Sequence, residues 1–250
     1  PATIASISVA DLHAYHKKIM QKTQLLLVFV GDIDLEQLKE KIAQTFGTLP
    51  RGNYSESQIP KIDFSKPTLD VSSRSLPTNY IKGVFAAPSL KDPDYYAMRV
   101  AMSILQTLVY QEVRGRLQLS YAPDADMENF AANTANISVS TVDPNRAVRA
   151  MLEQIRFLQQ QTILEKAIDE IAAFFLTRYY MGQETSAAQA AELARYELLG
   201  GGWRQSFEFV DRVRAVRPAD VRNAASKYMR NIRFFYIGDP SIIDRQAFNQ

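Results

Sequence analysis

Cysteine is missing from all 250 residues, which removes disulfides, thiolate metal sites and a cysteine nucleophile and leaves the redox compartment unread. Histidine is nearly missing: His13 and His16 are the only two. No apolar run approaches the ~18 residues of a membrane-spanning helix, and no leader peptide is visible, although a chain that starts inside a domain would not show one. An excess of charge of one sign is lacking too. The 29 Lys and Arg against 27 Asp and Glu leave a net +2, which argues against a dedicated nucleic-acid binder. The one basic stretch, Trp203 to Arg233 with eight Lys or Arg against three Asp or Glu, reads as solvated helix faces. What remains is ordinary globular chemistry, 46% hydrophobic and 22% charged, enough for one full core plus a fragment.

The most informative pattern is an echo. Ala10, Asp11 and Leu12 lead to Lys18, Ile19 and Met20, then to the apolar run Leu25 to Val30, closed by Gly31 and Asp32. Near the other end Ala219, Asp220 and Val221 lead to Lys227, Tyr228 and Met229, then to Phe234 to Ile237, closed by Gly238 and Asp239. The aspartates stand 209 residues apart and the glycines 207. Each copy reads as a helix, capped by its Asp, that delivers the chain to a buried strand ended by Gly-Asp, a unit that closes a domain. Residues 1–49 are therefore expected to be the C-terminal fragment of a first domain that has lost its front, and 80–250 a complete second one.

Between them, residues 50–79 carry Pro50, Pro60, Pro67 and Pro77, which marks a linker running into an edge hairpin. Asp34 is a plausible cap for a helix from Leu35 to Phe46. Tyr80 to Pro88 reads as a buried strand. A long helix is predicted from Asp92-Pro93 to about Arg116, with Met98, Met102, Leu105, Val109 and Val113 on one inward face. Two strands follow, Leu119 to Phe130 and Asn133 to Val142, then helices from Pro144 to Gln160, Ile163 to Tyr180, Ser186 to Leu199, Trp203 to Arg214 and Ala219 to Arg230, and a closing strand from Arg233 to Ile237. Strands, then a helical block, then one returning strand is an α+β plan, an antiparallel sheet packed on one side by helices.

The stretch Val113 to Tyr121, VRGRLQLSY, ends the long helix. Together with the duplication, the LLLVFVGDID block and the DPDYYAM helix start, it resembles the C-terminal part of the insulinase or pitrilysin-like zinc metallopeptidases, the inverted-motif zincins, across essentially the whole chain. The resemblance implies two homologous α+β domains per half of a clamshell or dimer, and an Arg followed seven positions later by a Tyr that faces the zinc centre. Those positions hold Arg114 and Tyr121, the implied substrate-binding residues: a guanidinium and a phenol can hydrogen-bond a substrate carbonyl. Gln118 stands where the family commonly has Gly, and Gly115 where a charged residue is usual.

The family binds zinc through H-x-x-E-H, and the chain has none. His13 and His16 lie at i and i+3, but their counterparts one period on are Arg222 and Ala225, so they read as scaffold. The resemblance thus implies zinc in a preceding N-terminal domain or a partner subunit, with no metal or catalytic residue in this segment. The chain is then the substrate-binding part of a zinc-dependent metalloendopeptidase for peptides or unfolded polypeptides, inactive alone; the alternative is a non-catalytic partner or assembly subunit. The residues leave the compartment unread, with a bacterial periplasm favoured over a cytoplasm. Asp124, Asp126 and Glu128 lack the glycine turn of a calcium loop and read as a solvated strand face. Gly200, Gly201 and Gly202, with no Lys following, read as a helix terminator. Phe174, Phe175, Tyr179 and Tyr180 read as core.

Overall fold

The computed structural model describes residues 2–249, which fall into two compact units: residues up to 58 together with 183–194, and residues 59–182 together with 195–250.

The larger unit is built on a five-stranded sheet: β1 (Thr68–Ser73), β2 (Asn79–Ala86), β3 (Asp124–Met127), β4 (Thr134–Thr141) and β5 (Arg233–Gly238), in the order β1-β5-β2-β4-β3. Four strands run antiparallel to their neighbours, and β1 pairs with β5 in parallel. The expected edge hairpin is corrected here. β1 is at the edge, but β5 lies between it and β2. The connection Arg74 to Thr78 has no Asn-Gly or Asp-Gly pair to make a tight turn, and the buried Phe234 and Tyr236 of β5 are best covered with a strand on either side.

Period-two alternation decides what the sheet buries. Ile81 and Phe85 on β2, Ala135, Ile137 and Val139 on β4, and Phe234 and Tyr236 on β5 all point inward and are at most 4% exposed. They meet α4 (Tyr95–Val109), α5 (Pro144–Gln160) and α9 (Pro218–Tyr228), which pack against one another. The predicted row Met98, Met102, Leu105, Val109 and Val113 is buried along its whole length. α5 starts where Pro144 takes the first helical position and the Asp143 side chain accepts from the Arg146 N–H at 3.2 Å. The remaining helices of the larger unit are α6 (Glu165–Met181) and α8 (Phe209–Arg214); α7 (Ser186–Leu199) is divided, its residues up to 194 belonging to the smaller unit and the rest to the larger. α7 stops at the three glycines: Gly201 and Gly202 take φ of +81° and +121°, and the Gly200 N–H donates to the Tyr196 carbonyl at 2.8 Å.

The four aromatics of α6 divide. Tyr179 stacks on Phe209 with centroids 5.2 Å apart and Phe175 packs on the core, but Phe174 and Tyr180 are 51% and 63% exposed. The expectation of a core role fails for these two because Phe174–Phe175 and Tyr179–Tyr180 are adjacent pairs, and neighbours in a helix cannot face the same way.

In the smaller unit, α1 (Ala2–Ala5) precedes α2 (Val9–Ile19) and α3 (Leu35–Gln44). The start of α2 repeats that of α9, and both correct the expected capping role. The aspartate sits at the third helical position and reaches back: Asp11 accepts from the Ser8 N–H at 2.8 Å, and Asp220 from the Arg217 N–H at 2.9 Å. Asp34 caps α3 as read, accepting from the Glu36 and Gln37 N–H groups. The run Leu25 to Val30, expected as a buried strand, forms no strand and is only half-buried or exposed. A strand needs a neighbour for its N–H and C=O groups, and no described segment supplies one.

Gly83 gives a direct test of the sheet's inner face. A Cβ there would lie 2.6 Å from the Phe234 ring and 2.8 Å from Ile232, both fully buried. Gly83→Ala is expected to lower stability by about 1–3 kcal/mol through overpacking. A shift of the urea midpoint toward lower denaturant, read by tryptophan-independent circular dichroism, checks it; an unchanged midpoint would show that the ring has room to move.

Candidate functional site

α4 does not end at Val109. Tyr110–Arg116 continues it as a π-helical turn, with the Leu117 N–H donating to the Glu112 carbonyl at 2.9 Å, five residues back. Within that turn Val113 remains fully buried. The side chain that follows, Arg114, is carried outward. The turn is braced on its far side by Arg116, whose Nε donates to Glu112 Oε2 at 2.8 Å and whose second nitrogen reaches the other carboxylate oxygen. That pairing holds the Glu112 carboxyl below its ordinary range.

Past the turn the chain reverses through Gln118, which takes φ of +54°. This is the left-handed region that a side chain enters at a cost of about 1–2 kcal/mol and that glycine enters freely. This backbone conformation agrees with the glycine that the family resemblance implied at position 118. The Leu119 N–H then donates to the Val113 carbonyl at 2.9 Å, and the chain is brought back over the helix end.

The result is that Arg114 and Tyr121 meet. Arg114 Nη1 donates to the Tyr121 carbonyl at 2.8 Å, and the guanidinium carbon lies 3.9 Å from the centre of the Tyr121 ring and 5.1 Å from that of Tyr110. A cation between two ring faces is held by their quadrupoles. Among the described residues Arg114 has no carboxylate partner and no second protein hydrogen bond, so most of its five N–H donors stay available. Tyr121 is 80% exposed. Both residues line an open cleft of about 490 Å³, whose other wall comes from the sheet end: Thr78, Ser140 and Val142.

That wall is rigid. Asn79 Nδ2 donates to the Thr141 carbonyl at 3.0 Å, and Asn79 Oδ1 lies 2.6 Å from the Tyr236 hydroxyl and accepts from the Asp239 N–H at 3.2 Å. Burial pushes the Tyr236 phenol above its ordinary range, so it stays a neutral donor. One buried amide therefore ties the ends of β2, β4 and β5 together beside the cleft.

Sequence reasoning named Arg114 and Tyr121 and singled out Gln118; it missed Tyr110, Thr78 and Ser140. Tyr110 was findable, because it precedes Arg114 by four on a helix and so shares its face. The sheet residues carry no local signal. His13 and His16 are exposed on α2, and Asp124 and Asp126 are on the solvent side of β3. The cleft's donor set consists of hydroxyls, an amide and a guanidinium, with no imidazole, thiolate or carboxylate, and this does not fit zinc. No group of three or more His, Asp or Glu suited to a metal occurs among the described residues.

Arg114→Ala removes a charged donor from the Tyr121 carbonyl and so frees the reversal. Amide exchange at residues 117–122 is expected to speed up by about tenfold or more, the loss of one charge-assisted hydrogen bond. Site-resolved exchange by nuclear magnetic resonance measures it, with strand β4 unchanged as the internal reference.

The sequence matches the family model described as Peptidase M16 inactive domain over residues 6–174. No curated protein matches the chain. Among solved structures, a peptidase M16 inactive domain from Pseudomonas fluorescens aligns with a TM-score of 0.84 at 16% identity, over 94% of this chain and 58% of that one. A protease from Helicobacter pylori aligns with a TM-score of 0.80 at 13% identity, over 94% and 60%. The ferredoxin protease FusC, a mutant solved in complex with Arabidopsis ferredoxin, aligns with a TM-score of 0.72 at 16% identity, over 95% of this chain and 27% of that one. At these identities the likeness is one of fold, and the chain spans 60% or less of each of these proteins.

Proposed function

The chain belongs to the peptidase M16 inactive-domain family, and from that premise we propose that it is the peptide-gripping, non-catalytic part of a zinc-dependent endopeptidase. The zinc and the base are supplied by another domain or by a partner subunit. The observation that carries this reading is the Arg114–Tyr121 pair: a guanidinium with spare donors and no carboxylate partner, laid on an exposed phenol in an open cleft. Such a pair is suited to an uncharged oxygen. The free N–H groups and the Tyr121 hydroxyl both donate, and an extended peptide offers a carbonyl at every residue. The Tyr110 and Tyr121 rings fix the guanidinium plane before the peptide arrives, so little freedom is lost on binding.

The two copies of the echo support a missing neighbour for the smaller unit. Leu12 is 59% exposed where its counterpart Val221 is fully buried, and Phe29 is 45% exposed where its counterpart Tyr236 is fully buried. At the helix ends the two backbones nonetheless agree: the Met20 N–H donates to the His16 carbonyl and the Met229 N–H to the Ala225 carbonyl, both at 3.0 Å. We read residues 1–49 as the closing piece of a first domain of the same kind, whose remainder covers that apolar face.

The test uses a fluorescein-labelled, permanently unfolded polypeptide. The chain alone is expected to bind it without cleaving it in a chelator-sensitive way. Arg114→Ala should weaken binding by about tenfold, the scale of one charge-assisted hydrogen bond, and Tyr121→Phe by a smaller factor. Chelator-sensitive cleavage by the chain alone would falsify the reading. Binding untouched by both substitutions would turn it toward the scaffold role, an assembly partner of an active subunit.

A further inference from the structure

The outer face of the sheet, opposite the helices, departs from what an open antiparallel face usually shows. Such faces alternate apolar inward with polar outward. Here Tyr80 on β2 and Phe235 and Ile237 on β5 point outward and are 50%, 47% and 42% exposed. They are neighbours: Tyr80 pairs directly with Ile237, and Lys82 with Phe235. These four side chains, with Ser138, line a groove of about 350 Å³.

This groove is continuous with the Arg114–Tyr121 cleft. Ser140 lines both, and Ala122, the residue after Tyr121, lines the groove. Ser140 pairs with Tyr80 across one strand spacing, about 4.8 Å. An extended peptide advances about 3.4 Å per residue with side chains alternating in direction, so two residues along it is about 7 Å away and facing the same way. Two residues of extended chain are thus enough to span from the shared Ser140 wall to Tyr80 and the groove beyond it.

We propose that the groove of Tyr80, Phe235 and Ile237 is a side-chain subsite that selects a large apolar residue, aromatic above aliphatic, two positions from the peptide bond gripped by Arg114 and Tyr121. The inference rests on the reading of that cleft as a peptide site. The floor supplies two aromatic rings and a branched aliphatic chain, which gain from a ring laid against them and gain nothing from a hydroxyl. No carboxylate lines the groove; its one charged lining residue is Lys82, and Arg114 stands in the adjoining cleft, so the selection rests on the apolar floor.

The experiment uses the chain as it stands and unstructured, fluorescein-labelled peptides that differ at one guest position, Phe, Ser or Asp, with affinities read by anisotropy. The Phe guest is expected to bind about tenfold tighter than Ser or Asp, the scale of burying one aromatic ring. The double variant Phe235→Ser with Ile237→Ser should bring the Phe-to-Ser ratio close to one while Ser-guest binding is kept and still falls with Arg114→Ala. Tyr80→Thr, which keeps strand propensity, should lower the same ratio and serves if the double variant melts early. Equal binding of all guests by the unaltered chain overturns the subsite and leaves the cleft reading in place. No binding of any guest overturns the cleft reading and the subsite with it. A preference that survives both variants lies elsewhere and overturns the assignment. So does a sedimentation change from dimer to monomer in the double variant, which would make the face a contact between copies of the chain.

Discussion

The site depends on one apolar row. Met98, Met102, Leu105, Val109 and Val113 are each at most 3% exposed, and the last of them lies beyond the regular helix, inside the π-helical turn. Burying a side chain of this size contributes on the order of 1.5–3 kcal/mol. Val113 therefore fixes the rotation of the turn in which it sits, and the residue after it has no choice but to leave the core. Arg114 is in the cleft because Val113 is in the interior. The same anchor receives the returning chain, since the Val113 carbonyl accepts from Leu119.

The second constraint is the asymmetry of the sheet. One face spends its side chains on α4, α5 and α9, and the edges carry Asp70, Asp124 and Asp126, charges that discourage another strand from adding on. The free face can then offer a surface to a ligand without weakening the core. Asn79 links the two roles: its amide stitches three strands together beside the cleft, so the wall opposite Arg114 is as firm as the interior behind it. A rigid wall facing a pre-stacked guanidinium is the condition under which a few hydrogen bonds to a main chain suffice for binding.

Much of this was legible in the residues. The 4-3-4-4 spacing of the α4 row, Pro144 after Asp143, and the alternation along Ile137 to Thr141 each place an element through a local rule that burial then enforces. The α+β plan followed from their order. Three features were not legible, each for a physical reason. The insertion of β5 between β1 and β2 is a choice among long-range partners, and no local pattern encodes it. The π-helical turn differs from an α-turn by one residue in its hydrogen bonding, and the one glycine within it, Gly115, is equally compatible with an ordinary helix end. The apolar run Leu25 to Val30 has the composition of a strand, but strand formation belongs to a pair of segments rather than to one. Arg114 and Tyr121 were named through the family resemblance, whereas the wall opposite them, Thr78 and Ser140, comes from a sheet register with no local signal.

In the proposed function the Arg114 guanidinium holds a carbonyl of the bound peptide. Titrating an unlabelled, unstructured peptide into protein carrying ¹⁵N-arginine, and following the side-chain Nε–H signals, tests it most directly. A saturable shift of the Arg114 signal, assigned by its loss in Arg114→Lys, with the signals of Arg149 and Arg178 unmoved, is the expected result. An Arg114 signal that stays in place while other arginines respond would contradict the account.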